Sequence, residues 1–336
     1  MTTAAATTKA LTPQRFAALA ADVEAQIRTV VVGQRGLVRD VLACLLCEGH
    51  VLIEGVPGLG KTVLLKTLAE ALSLDFNRVQ CTPDLMPADI VGTTVLGDGA
   101  TSFQPGPVFT QLLLADEVNR ATPKTQSALL EAMAERRVTV GGVTRELPRP
   151  FFVMATQNPI EMEGTYPLPE AQLDRFLAKV LVELPEAEDL LEILARTTGV
   201  AEATVARVAG TQELLASARL VREVPMASHV ARHLVDLVQA THPDHPTAPE
   251  PVRRYVRHGS SPRGAQSLAL LAKTYALLDG RVQVALDDVR EAALPCLRHR
   301  LVLGYEALAA DVTADAIVAG VLDAVPSPKP PVRGAT

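Results

Sequence analysis

Eight consecutive residues, Gly55-Val56-Pro57-Gly58-Leu59-Gly60-Lys61-Thr62, have the spacing G-x4-G-K-[ST]. Glycines at those places let backbone N–H groups wrap an anion, the lysine reaches the β- and γ-phosphate oxygens, and the threonine hydroxyl is offered to Mg²⁺. The run follows the apolar stretch Val51-Leu52-Ile53 and precedes the helical pattern Val63-Leu64-Leu65-Lys66-Thr67-Leu68-Ala69. A strand, a glycine-rich turn and a helix N-terminus in that order make a phosphate-binding P-loop. Val56, Pro57, Gly58, Leu59, Gly60, Lys61, Thr62 and Val63 are therefore the expected cradle of a nucleoside triphosphate. The cofactors expected are a nucleoside triphosphate and Mg²⁺, with Thr62 as one metal ligand.

Hydrolysis needs acids as well as a cradle. Leu112-Leu113-Leu114-Ala115-Asp116-Glu117 is an apolar strand ending in two of them, about 55 residues beyond the P-loop lysine. At the carboxyl edge of a sheet, Asp116 is placed to hold Mg²⁺ through its water shell and Glu117 to orient and deprotonate the attacking water. Alone, such a pair is an ordinary solvated strand end; with a P-loop it points to turnover rather than passive binding.

Phe151-Phe152-Val153-Met154-Ala155-Thr156-Gln157-Asn158-Pro159 is a second apolar strand, ending in an amide. If it lies beside the P-loop strand, Asn158 sits near the γ-phosphate, where an amide can accept from the water and donate to a phosphate oxygen. Arg175 ends the short helical run Leu168-Pro169-Glu170-Ala171-Gln172-Leu173-Asp174-Arg175-Phe176. It points away from its own nucleotide and is placed to reach the γ-phosphate of a neighbouring subunit; the plain alternative is a surface ion pair with Asp174. Arg263, in Gly259-Ser260-Ser261-Pro262-Arg263-Gly264, opens a later helix. It is expected to close onto the phosphates from above, the plain alternative being a Ser-Pro helix start with a solvated arginine.

These groups need a scaffold. Short apolar strands at Phe76 to Cys81, Leu112 to Asp116, Phe151 to Thr156 and Lys179 to Leu184 alternate with helical patterns. That alternation predicts an α/β fold with a parallel sheet and helices on both faces. Two hairpins interrupt it, one within Val91 to Phe109 and one around Gly141-Gly142, a two-residue turn signal. Beyond Pro185 strands are expected to stop, and Glu188 to Arg196, Ser228 to Ala240, Arg263 to Leu278 and Leu286 to Leu297 read as helices of a bundle. With 336 residues the chain has room for both parts. The expected organisation is a disordered N-terminus at 1–11, an α/β nucleotide-binding core at 12–185, an α-helical domain at 186–323 and a disordered proline-rich tail at 324–336.

Composition narrows the function classes. Hydrophobic residues make up 48% but aromatics only 3%, so the cores must be built from Ala, Leu and Val. No apolar run reaches the ~20 residues of a membrane span and the first residues lack the apolar core of a signal peptide, so a soluble cytoplasmic protein is expected. A formal net charge of −6 gives no global attraction to nucleic acid. Cys44, Cys47, Cys81 and Cys296 read as buried thiols, because no second pair follows Cys44 and Cys47 at zinc-ribbon distance. His229 and His233 lack the glutamate of H-E-x-x-H and are expected on a partly exposed helical face.

Five blocks in order resemble the AAA+ ATPases and, within them, the MoxR family. They are Gly55 to Thr62, Leu113 to Ala121, Pro123 to Met133, Ala155 to Pro159 and Glu163 to Phe176, within a resemblance that covers roughly residues 15 to 323. The resemblance implies that Lys61 and Thr62 are Walker A, Asp116 and Glu117 Walker B, Asn158 sensor 1, Arg175 the arginine finger and Arg263 sensor 2. It also makes the nucleotide ATP and places Val32-Gly33-Gln34 near the adenine, which adds Gly33 and Gln34 to the cofactor set. The implied fold is an AAA+ core with a five-stranded parallel sheet, the sensor 1 strand lying between the Walker A and Walker B strands, followed by a small all-α lid. The two hairpins resemble the helix-2 insert and the hairpin before sensor 1, and are expected to face the pore of a ring or one rim. Val118 and Thr122 depart from the family's usual Ile and Pro, away from the chemistry.

The implied function is that of an ATP-hydrolysing homo-hexameric ring that remodels or matures a client protein, often through a partner with a von Willebrand factor A domain. A metal-chelatase motor subunit and a DNA-engaging motor share the insertions. The acidic balance, and a second hairpin with Arg137 and Arg145 but no aromatic, weigh against nucleic acid.

Overall fold

The computed structural model describes residues 11–56, 58–97, 100–159, 164–199 and 204–328. Pro57 and most of the two ends expected to be disordered lie outside the described residues.

Helices α1 (Pro13–Val30) and α2 (Arg35–Leu46) precede strand β1 (Val51–Glu54). Thr12 caps α1 through its side chain and Pro13 sits in the first turn, where its missing N–H costs nothing. Phe16, Leu19, Ala20, Val23 and Ile27 are its buried residues, a stripe at helical spacing. Then come α3 (Lys61–Leu72), β2 (Phe76–Gln80), α4 (Pro87–Val91), the hairpin β3 (Gly92–Gly97) and β4 (Ala100–Pro105), and β5 (Leu112–Asp116). Helix α5 (Pro123–Glu135), the hairpin β6 (Arg137–Val140) and β7 (Val143–Glu146), β8 (Phe152–Gln157), α6 (Glu170–Leu173) and β9 (Ala178–Leu181) complete this part.

The strands β2, β5, β8, β1 and β9 form one parallel sheet in that order, so β8 lies between β5 and β1 as the resemblance implied. Strand alternation divides the interior. Val51, Ile53, Leu112, Leu114, Phe152 and Met154 enter the apolar core on one side of the sheet, while Leu52, Leu113, Val153 and Ala155 enter the core on the other. Both faces being covered explains why the central strands read as continuous apolar runs. All five strands run the same way, so the P-loop, Asp116 and Asn158 emerge from one carboxyl edge.

The hairpins are linked. The guanidinium of Arg145 lies 3.8 Å from the ring centroid of Phe103, and a Cβ at Gly141 would come within 3.0 Å of Thr94. They project as a joined pair rather than as two independent arms.

The remaining chain forms α7 (Ala187–Thr197), α8 (Thr211–Glu223), α9 (Ser228–Ala240), α10 (Glu250–Tyr255), β10 (Val256–His258), α11 (Pro262–Leu278), α12 (Leu286–Leu297), β11 (Val302–Leu303), α13 (Tyr305–Ala309) and α14 (Ala314–Ala324). The expectation that strands stop after Pro185 is corrected by β10 and β11, a short antiparallel pair within the helical lid. Such short strands fall below any periodicity signal in the sequence. His233 is also corrected: it is 1% exposed, because Val230, Leu234, Leu237 and Val238 place it on the inward stripe of α9. All four cysteines are buried, as read.

Helices α1 and α2 pack against α11, and a single apolar core runs from the sheet into the lid. At this junction the Tyr275 hydroxyl donates to Asp40 at 2.5 Å, and burial pushes the Asp40 carboxyl up to about 6. Among the described residues no helix is long and apolar enough to cross a membrane.

Candidate active site

The P-loop turns on Gly58 and Gly60, at φ +85° and +74°, values that side-chain-bearing residues rarely adopt. Gly60 hands the chain to α3, whose first residue is Lys61. The exposed N–H groups of a 12-residue helix and the glycine turn together favour an anion. Lys61 Nζ donates to the Gly55 carbonyl at 2.6 Å, which holds the amine over the loop. Burial lowers the Lys61 pKa, opposed by the charges of Asp116, Glu117 and Glu54.

A cavity of about 390 Å³ opens over this loop, and Lys61, Thr62, Asp116, Glu117 and Asn158 all line it. Two acids and their supports share one hydroxyl. Thr156 Oγ1 donates to Asp116 Oδ1 at 2.6 Å and accepts the Glu117 backbone N–H at 2.9 Å. Glu117 itself adopts φ +54°, a strained left-handed conformation that turns its side chain out of the strand direction. Gln80 Nε2 and Arg120 donate to Glu117 Oε2 at 2.9 and 3.2 Å. Arg78 donates to Asp116 Oδ2 at 2.7 Å and to Gln80 Oε1 at 2.8 Å.

Arg78, Gln80 and Thr156 are the residues that reading the sequence missed. Arg78 and Gln80 are two apart on β2, opposite Leu114 and Asp116 of β5, so only the strand register brings them to the acids. Their polar types, alternating with buried Val79, were the available signal.

Beside the phosphate cavity lies a more apolar cleft of about 500 Å³, lined by Val32, Gln34, Leu59, Val63, Leu190 and Ile193 among others. Gln34 Nε2 donates to the Leu59 carbonyl at 3.4 Å. Gly33, at φ +64°, leaves room for Asp189 of α7, which a Cβ would meet at 2.1 Å. A flat apolar base fits this cleft, next to the phosphates and under α7.

Residues 50–178 match the family described as "ATPase family associated with various cellular activities (AAA)", and residues 250–321 match the AAA lid domain. The chain is similar to Chaperone MoxR1 of Mycobacterium tuberculosis, 44% identical over 90% of this chain and 81% of that protein. This chain belongs to the MoxR family of AAA ATPases. It is also 34% identical to Protein MoxR of Paracoccus denitrificans, over 90% of this chain and 93% of the relative. A crystal structure from Cytophaga hutchinsonii is 38% identical and superposes with a TM-score of 0.89, covering 94% of this chain and 97% of that one. Membership in the family makes the protein an ATP-binding ATPase.

In this MoxR-family ATPase the two remaining sequence-predicted arginines are elsewhere. Arg175 and Arg263 do not line the phosphate cavity. Both line a second groove of about 350 Å³ that also contains Glu48, Arg136 and Arg222. Arg175 donates to the Leu130 carbonyl at 2.5 Å. Helix α11 packs on α1 and α2, and in this structure its N-terminus, with Arg263, lies beside Asp174 rather than over the P-loop.

Proposed function

We propose that the protein works as a homo-hexameric ring in which each ATP site is built by two protomers, and that the ring remodels a client protein in a chaperone-like way. The observation that carries this reading is the separation of the machinery. Lys61, Thr62, Asp116, Glu117 and Asn158 meet in one cavity, while Arg175 and Arg263 share a groove outside it.

Within one protomer, Lys61 and the P-loop N–H groups bind the β- and γ-phosphates, and Val32, Gly33, Gln34 and Val63 border the base. The donor set suits Mg²⁺: Thr62 and Asp116 offer only oxygen, the preference of a hard cation, and both line the phosphate cavity. Bound there, Mg²⁺ would neutralise charge between the β- and γ-phosphate oxygens. Gln80 and Arg120 hold one oxygen of Glu117 and so orient the carboxylate, which takes the proton of the attacking water. Asn158 aligns that water. Arg175 and Arg263 of the adjoining protomer supply positive charge to the transferring phosphoryl group, the role arginines serve in phosphoryl transfer.

The Mycobacterium tuberculosis relative is named a chaperone, and the joined hairpins are the surface we assign to the client or to a von Willebrand factor A-domain partner. The test combines mass and turnover. Light scattering with ATP on the Glu117→Gln protein should give a hexamer mass, and affinity purification of that trapped form should retain a client that ADP releases. A monomer that hydrolyses ATP at the full rate would overturn the reading. Turnover stimulated by DNA and falling steeply with salt would replace it with a nucleic-acid motor.

A further inference from the structure

Arg175 follows α6 and Arg263 opens α11, yet the two line one groove, and Asp174 explains their registration. Its carboxylate accepts the Ser261 hydroxyl at 3.0 and 2.9 Å and the Arg300 Nε–H at 2.8 Å. Ser261 is also the N-cap of α11, where its Oγ accepts the Arg263 backbone N–H at 3.1 Å.

Arg300 comes from the turn after α12, and its side chain is only 2% exposed. Besides Asp174 Oδ1, it donates to the carbonyls of Asp174, Phe176, Leu177 and Cys296 and to Ser267 Oγ. All five N–H donors of a guanidinium are thereby committed in one fixed plane. His299 lies 3.2 Å from the same Phe176 carbonyl, and a Cβ at Gly264 would come within 3.0 Å of Arg300 Cδ, so the turn is closely packed. Three segments converge here: the turn from Asp174 to Leu177 that carries Arg175, the start of α11, and the end of α12 with the turn after it.

We propose that Asp174, Ser261 and Arg300 form a clasp that holds Arg175 and Arg263 as one rigid unit, so that the lid and the arginine turn present both cations to a neighbouring triphosphate together. The three are positioning residues. This inference rests on the reading that the arginines act on the adjoining protomer. It adds that movement of the α11 end of the lid is felt at the neighbour's site.

The test uses mixed rings. Arg175→Ala protomers keep an intact phosphate cavity, and Glu117→Gln protomers keep intact arginines, so mixing the two should restore turnover. Adding Ser261→Ala to the Glu117→Gln protomer should cut the restored kcat about ten- to hundredfold, the scale of a misplaced group, with KM for ATP unchanged. Ser261→Thr, which keeps the hydroxyl, should recover it. Ser261→Ala placed in the Arg175→Ala protomer should change nothing, because the arginines of that protomer already serve no site. Loss from that second placement would mean a general defect and would overturn the clasp. Restored turnover that ignores Ser261→Ala in the first placement would also overturn it. No restoration in the parental mixture would overturn the underlying reading instead.

Discussion

The phosphate cavity and the arginine groove both lie at the margin of the same sheet, but they are built differently. In the cavity, functional residues sit at the ends of separate elements: Lys61 at the start of α3, Asp116 at the end of β5 and Asn158 just past β8. Each is placed by its own strand or helix. In the groove, Arg175 and Arg263 come from parts of the chain far apart in sequence, brought into register by the buried side chain of Arg300 and the carboxylate of Asp174. One region is positioned by local structure and the other by tertiary contacts, so the two should respond differently to perturbation.

The largest effect should come from the groove. Arg175→Ala is expected to lower turnover by about 10³-fold, the scale of an arginine finger, while ATP affinity in an equilibrium titration stays within a few-fold. Equal loss of affinity and turnover would place Arg175 at its own nucleotide and erase the contrast.

Glu117→Gln should lower turnover by about 10²-fold to 10³-fold with nucleotide binding retained, as loss of a general base requires. Unchanged turnover would remove Glu117 from that role. Arg263→Ala should cost roughly tenfold in turnover, in line with one charge-assisted hydrogen bond. In mixed rings the loss should appear only when the substitution is in the protomer that donates its arginines.

The smallest effect is a pH dependence. His50 borders the groove, accepts the Val153 N–H at Nδ1 at 3.0 Å and lies 3.1 Å from the Met133 carbonyl through Nε2; burial pushes it down to about 4. The unfolded chain takes up a proton at His50 near pH 6.5, so its contribution is intact above that pH and is lost as pH falls towards 4, on the order of 3 kcal/mol in all. Asp40, raised to about 6, works in the other direction and gains stability as pH falls from about 6 towards 3.8. Denaturation midpoints of parent and His50→Gln at pH 7.5 and 5 isolate the histidine: the parent should lose more stability than the variant. Identical losses would show that the ring is not held neutral.

The same contrast explains what was legible in the sequence. The P-loop, the Asp116-Glu117 pair and Asn158 are legible because each is a short motif that ends an apolar strand or starts a helix, and parallel strands bring such ends together. The place of β8 between β5 and β1 follows the family resemblance, whereas the outer positions of β2 and β9 are seen only in the structure. Arg78 and Gln80 are illegible without the β2–β5 register, since nothing in their spacing refers to Asp116 or Glu117. Arg263 was recognisable as a helix start, but its destination depends on Arg300, which reads as one more cation in Arg298-His299-Arg300 until its burial is seen. His233 reads as exposed from its residue type, yet it lies on the apolar stripe of α9 with Val230, Leu234 and Leu237.

The central claim is that an ATP site is complete only when two protomers meet. The most direct measurement is the ATPase rate of Arg175→Ala and Glu117→Gln proteins, each alone and then mixed in equal amounts at constant total protein. The account predicts almost no turnover from either alone and a clear recovery on mixing, because each supplies what the other lacks. A mixture no more active than the mean of its components would contradict it.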